Sequence, residues 1–165
     1  MLFYLHYLVA SFMVVLIEGT VFARLAVAGM RPDLSLALVV SSGFTGSARG
    51  GVIIGFLLGL IRDAADPERF GLEMLLFSLV GFAAGCTSAM FNRAHPIMRG
   101  AMIALLTLAH DLLRFLAVSS FSVPDALLLW LRFSPGSALY TALVAVAAMM
   151  ALPRLWPMGE RRAIS

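Results

Sequence analysis

The chain has 165 residues, of which 61% are hydrophobic, and its mean hydropathy is +0.97. Soluble domains are about 45–50% apolar, so this composition excludes an ordinary water-soluble domain and indicates a bilayer as the main solvent. The net charge of +3 comes from arginines that sit singly in short loops, so we expect lipid contact and no nucleic-acid interface.

Six apolar segments follow one another, and a full helical span needs about 20 residues. Segments two and three are shorter, so they either borrow flanking residues or form a tight helical hairpin that does not fully cross. The stretch 124–133 is predicted to be a short interfacial helix, and Ser134-Pro135 to begin segment six. The expected fold is an all-α polytopic membrane helix bundle forming one domain, 1–165. Its segments are about 3–23, 34–45, 49–61, 71–91, 97–120 and 135–152.

The arginines also give a modest orientation signal. Segment one lacks a basic n-region and is too long for the core of a signal peptide, so we expect it to be retained. An internal N-terminus places six arginines in cytoplasmic segments and five outside. The cluster Arg154, Arg161 and Arg162 also favours the cytoplasm, so we predict an inner-membrane protein with both termini inside.

Segment three carries the most regular motif of the chain. Gly51, Gly55 and Gly59 recur every fourth residue, which creates a smooth helix face that another backbone can approach closely in lipid. Arg62 lies on the same face, and Asp63 either caps a helix or pairs with Arg62 at the membrane surface, or contacts a partner. Segments four and six carry similar small-residue faces. Their members are Ser78, Gly81, Gly85 and Ser88 in segment four, and Ser137, Thr141 and Ala148 in segment six.

Ionisable residues inside two segments need partners at membrane depth. Glu18 lies on a polar face of segment one, and Asp111 and Arg114 are close enough in segment five to pair. One interpretation is a set of structural ion pairs inside the bundle. The alternatives are an internal polar cavity that holds a ligand or receives a partner helix, and a proton or ion pathway. The candidate cavity residues are Tyr4, Tyr7, Glu18, His110, Asp111, Arg114 and Tyr140.

Other kinds of site have little support in the sequence. His6, His95 and His110 lie on different segments without ligand spacing, so we expect no metal site. Cys86 allows no intrachain disulfide and is expected to pack as a small apolar residue. We find no nucleophile motif or phosphate-binding loop, and therefore expect no catalytic residues and no cofactor.

Four stretches together resemble the bacterial rod shape-determining protein MreD family. They are RPDL at 31–34, GVIIGFLLGLIRD at 51–63, FGLEMLLFSLVGFAAG at 70–85 and SALY at 137–140. The resemblance covers nearly the whole chain, and the glycine run followed by aspartate is its most specific part. The family often has more basic residues after the fourth span than this chain has at 92–95.

The resemblance implies a non-enzymatic inner-membrane scaffold or regulator of the cell-elongation machinery. Its implied partner is MreC, a single-span protein, within a complex that also holds the actin-like MreB, a glycosyltransferase and a penicillin-binding transpeptidase. The family resembles in fold the substrate-binding subunits of energy-coupling-factor transporters. That likeness implies an alternative function, a vitamin-like small-molecule binding subunit of a transporter. A lipid-binding or lipid-flipping protein is a third hypothesis.

Overall fold

The computed structural model describes residues 33–45, 47–88, 96–118 and 123–151. These residues form five α-helices and no strand, in agreement with the all-α prediction. Segment one, with Tyr4, Tyr7 and Glu18, lies outside the described residues. The helices are α1 (Leu34–Thr45), α2 (Ala48–Ala65), α3 (Leu72–Thr87), α4 (Pro96–Val118) and α5 (Val123–Ala151), with a 3₁₀ turn (Pro67–Arg69) between α2 and α3.

Local chemistry explains where the first helices begin. Asp33 Oδ1 accepts a hydrogen bond from Leu36 N at 2.8 Å, which satisfies one of the free N–H groups of α1. Ser47 Oγ accepts one from Gly50 N at 3.2 Å in the same way at the start of α2. The chain then enters α3 through Gly71, whose φ of +101° is a left-handed conformation that glycine adopts without strain.

Helix α1 is short because it is enclosed by the other helices. It packs against each of the other four, and its apolar side chains Leu36, Val39, Val40 and Phe44 are almost completely buried. Its 12 residues rise about 18 Å, which is less than a bilayer core. The prediction that segment two is short is therefore correct.

The most intimate packing joins α2 to α3 along the glycine face. A Cβ atom on Gly51, Gly55 or Gly59 would come within 3.0 Å of the α3 backbone. Gly81 meets Gly51, and Gly85 meets Ala48, in the same close fashion. The small residues of both helices therefore allow direct backbone contact.

The largest difference from the predicted elements concerns α5. We predicted a break between an interfacial helix at 124–133 and a new helix at Pro135, but α5 runs without interruption from Val123 to Ala151. Proline removes one backbone donor, which a helix in lipid tolerates when neighbouring helices compensate, whereas a full break would leave more polar groups unsatisfied. Helix α2 also extends four residues beyond the predicted end, to Ala65.

The outer surface of the bundle is apolar. Each of α2 to α5 exposes large hydrophobic side chains, which is the surface expected against lipid. By length and composition, α4 is the one described helix suited to crossing a membrane, over Ile97–Val118; α1 and α3 are apolar but shorter. Cys86 is exposed on α3. The exposed hydrophobic residues include Ile53, Phe56, Leu60, Leu75, Leu79, Phe82, Leu105, Leu113, Leu139 and Leu143.

Candidate functional site

The candidate site is a polar cluster at one end of the bundle. Because successive helices run in opposite directions, the starts of α1 and α3 lie beside the ends of α2 and α4. Each of these ends carries ionisable side chains, and α5 adds hydroxyl groups. We define the polar cluster as Asp33, Arg62, Glu73, His110, Asp111, Arg114 and Ser134.

The first ion pair closes the α1–α2 hairpin. Arg62 Nη1 donates to Asp33 Oδ2 at 2.6 Å, and the two side chains are 25% and 19% exposed. Burial disfavours the Asp33 carboxylate, but the Arg62 guanidinium, with help from His110 and the Leu36 amide, holds the pKa of Asp33 below its ordinary value. The Asp33 amide also donates to Thr141 Oγ1 at 3.0 Å, which connects α1 to α5.

Asp63, the next residue along α2, serves the start of α3 instead. Its carboxylate accepts from the amides of Gly71, Glu73 and Met74 at 2.9, 3.1 and 3.0 Å. It is 1% exposed, so these three donors replace the water it has lost. The structure thus shows that Asp63 caps α3, which is one of the roles predicted for it. Arg62 forms its ion pair with Asp33.

Glu73 connects α3 to α4 through both carboxylate oxygens. Its Oε2 atom lies 3.2 Å from His110 Nε2, and its Oε1 atom accepts from Arg114 Nε at 2.9 Å. His110 is 1% exposed and the Glu73 side chain 12%, whereas the Arg114 side chain is about half exposed. This junction therefore has a buried side at His110 and an open side at Arg114.

Asp111 is directed toward α5 and not toward Arg114. Ser134 Oγ donates to Asp111 Oδ2 in a short hydrogen bond, and Asp111 Oδ1 lies 3.5 Å from His110 Nδ1. The predicted Asp111–Arg114 pair is therefore wrong. Residues three apart share a helix face, but the long Arg114 side chain reaches Glu73 on the neighbouring helix, and Ser134 is nearer to Asp111.

An aromatic ring fills the centre of the polar cluster. Phe77 of α3 is completely buried. The centroid of its ring lies 5.1 Å from the ring centroid of His110 and 5.2 Å from the guanidinium carbon of Arg62. A guanidinium at this distance is attracted by the negative face of the ring. Phe77 therefore contacts both the Arg62 pair and the His110 junction.

The remaining sequence candidates lie in different places. Gly51, Gly55, Gly59, Gly81 and Gly85 pack α2 against α3, so this face of α2 is occupied by a helix of the same chain. A partner helix would have to bind elsewhere. Tyr140 is half-buried on α5, and among the described residues no polar contact joins it to the polar cluster.

Sequence reasoning missed two acids of the site. Asp33 was assigned only to the start of a helix, and Glu73 was not selected at all. The available signal was topological, because an antiparallel order of segments brings the starts of segments two and four to the end of segment three. An acid in the first turn of either segment would then lie near Arg62.

The chemistry of the polar cluster is that of ion pairing. The described residues contain no group of three or more histidine, cysteine, aspartate or glutamate side chains arranged to hold a metal ion. Within these residues, the charged groups of α4 that were expected to line a cavity instead contact Glu73 of α3 and Ser134 of α5. A ligand-binding cavity thus stays a prediction.

Comparison with known proteins gives one match. The family model described as rod shape-determining protein MreD matches residues 1–155. No curated protein matches, and no solved structure matches. The expected likeness to energy-coupling-factor subunits is therefore unsupported.

Proposed function

We propose that this protein is a scaffold of the cell-elongation machinery. The chain belongs to the MreD family of rod shape-determining proteins, and this membership supports a role in determining rod shape. The MreD family is a membrane protein family. In this proposal the protein is non-enzymatic, lies in the inner membrane with both termini in the cytoplasm, and binds a single-span partner of the MreC type. The family match over 1–155 is the observation that carries the proposal.

Two structural features support a scaffold. The charged side chains of the polar cluster tie four helices together at one end, and the glycine faces hold α2 and α3 in backbone contact. A partner that binds such a bundle finds helices whose relative positions are already fixed, which lowers the cost of ordering on association. Binding would bias the machinery only through contacts that differ between its states.

The partner would bind an outer apolar face. The small face of α2 is covered by α3, whereas Ile53, Phe56 and Leu60 on the other side of α2 are exposed. Helix association in lipid depends on close van der Waals packing. A single-span helix can obtain this packing on any smooth outer face that α2, α3, α4 or α5 offers.

Tryptophan scanning of the outer surface tests the proposal. Single tryptophans replace exposed residues such as Phe56 on α2, Leu79 on α3, Leu105 on α4 and Leu143 on α5. Each variant is expressed in a rod-shaped bacterium that lacks its own copy, and is assayed for cell shape and for co-purification of the MreC-like protein. Thermal unfolding in detergent confirms that each variant remains folded.

The expected result is that variants on one contiguous face lose the partner and produce rounded cells, while variants on other faces behave as the wild type. The bulky indole blocks close approach but adds no charge, so folding should be maintained. The scaffold proposal fails if the wild-type protein does not retain the partner, or if no folded variant changes either the co-purification or the cell shape.

A further inference from the structure

The bundle can be described as an α1–α3 unit and an α4–α5 unit, which meet where α4 packs on α3 and where α1 packs on α4 and α5. Helices α1, α2 and α3 pack extensively on one another, and so do α4 and α5. Where α3 meets α4 the packing is less extensive, and the polar contacts of Glu73 with His110 and Arg114 lie in this junction. This junction therefore joins the two units through polar side chains, whereas α1 joins them through apolar packing on α4 and α5.

His110 sits between two carboxylates in this junction. Its Nε2 atom faces Glu73 Oε2 at 3.2 Å, and its Nδ1 atom faces Asp111 Oδ1 at 3.5 Å. A neutral imidazole carries one N–H and can donate to one of these acceptors, whereas an imidazolium donates to both. With a neutral ring, one nitrogen lone pair would face a carboxylate oxygen, which is repulsive.

The charges around His110 also favour the protonated imidazolium form of its ring. The ionisable groups that surround it within the described residues are Asp33 from α1, Arg62 from α2, Glu73 from α3, and Asp111 and Arg114 from α4; α5 contributes the uncharged Ser134. The two carboxylates that lie beside the ring favour a positive charge on His110, because a neutral ring can donate to only one of them.

We propose that His110 is a proton-dependent latch between the α1–α3 unit and the α4–α5 unit. With the second proton on its ring, His110 bonds Glu73 across the junction and Asp111 within α4, and the units are held together. When that proton leaves, one hydrogen bond and the attraction between His110 and its two carboxylates are lost, and the junction loosens. Glu73 and Asp111 are partly exposed, so protons reach the ring along their carboxylates.

The latch concerns the isolated protein and does not depend on the proposed scaffold function or on any partner. The first test uses nitrogen-15 NMR of a variant that retains one histidine, with His6→Gln and His95→Gln, in lipid nanodiscs. At about pH 7.5, where an ordinary histidine is largely neutral, both ring nitrogens of His110 should show imidazolium shifts. A neutral tautomer at that pH would overturn the proposal.

The second test compares thermal unfolding from about pH 5 to about pH 9.5, a range that brackets histidine titration. The single-histidine variant should lose melting temperature as the pH rises, because the latch releases its proton. Replacing the remaining histidine, with His110→Gln, should remove that part of the pH dependence. The single-histidine variant should itself follow the wild-type curve, which would show that His6 and His95 do not cause the pH dependence. Equal pH dependence with and without His110 would also reject the latch.

Discussion

Arg62 and Asp33 are 29 positions apart in sequence, yet Arg62 Nη1 lies 2.6 Å from Asp33 Oδ2. The pair joins the end of α2 to the start of α1, and so fastens the hairpin at the end opposite its turn. Each partner has a second task. Asp33 caps α1, and Arg62 lies over Phe77 of α3. This one contact therefore relates three helices.

Replacing Asp33 by asparagine should destabilise the bundle. The variant keeps an oxygen that can cap α1 but loses the charge that pairs with Arg62. Because both side chains are less than about one-third exposed, we expect a loss of about 1.5–3 kcal/mol, as for hydrogen bonds to charged groups. The free energy of unfolding is measured by SDS titration in mixed micelles. The matched control is Glu68→Gln in the exposed 3₁₀ turn, which should change it by less than about 0.5 kcal/mol.

The same ion pair should make the stability that Asp33 contributes depend on pH. The pKa of Asp33 is lower in the folded protein than in the unfolded chain, because Arg62, His110 and the Leu36 amide together outweigh the effect of burial. Its stabilisation is therefore complete above the unfolded value, about 3.9, and is lost as the pH falls through the folded value. The wild type should exceed Asp33→Asn in stability at about pH 6 and lose that lead progressively as the pH falls below the unfolded value of about 3.9. A lead that stayed constant with pH would contradict the ion pair.

Gly55→Ala should push α2 away from α3. The added Cβ would lie 2.6 Å from the Phe77 carbonyl carbon and 2.9 Å from Ser78 N, and a backbone cannot yield as a flexible side chain can. We expect a loss of about 1–3 kcal/mol from overpacking, which exceeds the gain of about 1 kcal/mol from helix propensity.

Gly50→Ala is the matched control for this effect. Its Cβ would meet Ser47 Oγ at an ordinary 3.6 Å, so we expect either no change or a gain of up to about 1 kcal/mol. Both variants are compared by SDS titration and by co-purification with the MreC-like protein. Equal unfolding free energies for the two alanine variants would show that backbone contact at Gly55 is unimportant.

Asp63→Ala should loosen the start of α3. Three backbone amides lose their acceptor, and the site is buried, so water replaces it poorly. Loss of a cap costs about 0.5–2 kcal/mol and each buried unsatisfied group adds to it. Hydrogen exchange should accelerate most at Gly71, Glu73 and Met74. Asp66→Ala, at an exposed residue of the same loop, should leave these amides protected.

Much of the fold followed from hydropathy and small-residue spacing. Segments two to five correspond to α1 to α4, and the glycine period predicted a face that a neighbouring backbone can approach. The predicted break at Pro135 was wrong because it was based only on the poor helix propensity of proline. In an apolar solvent the backbone retains its helix wherever neighbouring helices can satisfy it, so the tertiary setting outweighs a single proline.

Composition and short-range periodicity are enough to place this protein in a bilayer, to predict that it is helical, and to show that charged residues at membrane depth must find partners. Both properties can be read directly from a single chain. The partners themselves become known only when the helices are packed together. Arg114 pairs with Glu73 instead of Asp111, and Arg62 pairs with Asp33, because ion pairing depends on distances between helices that sequence separation does not encode.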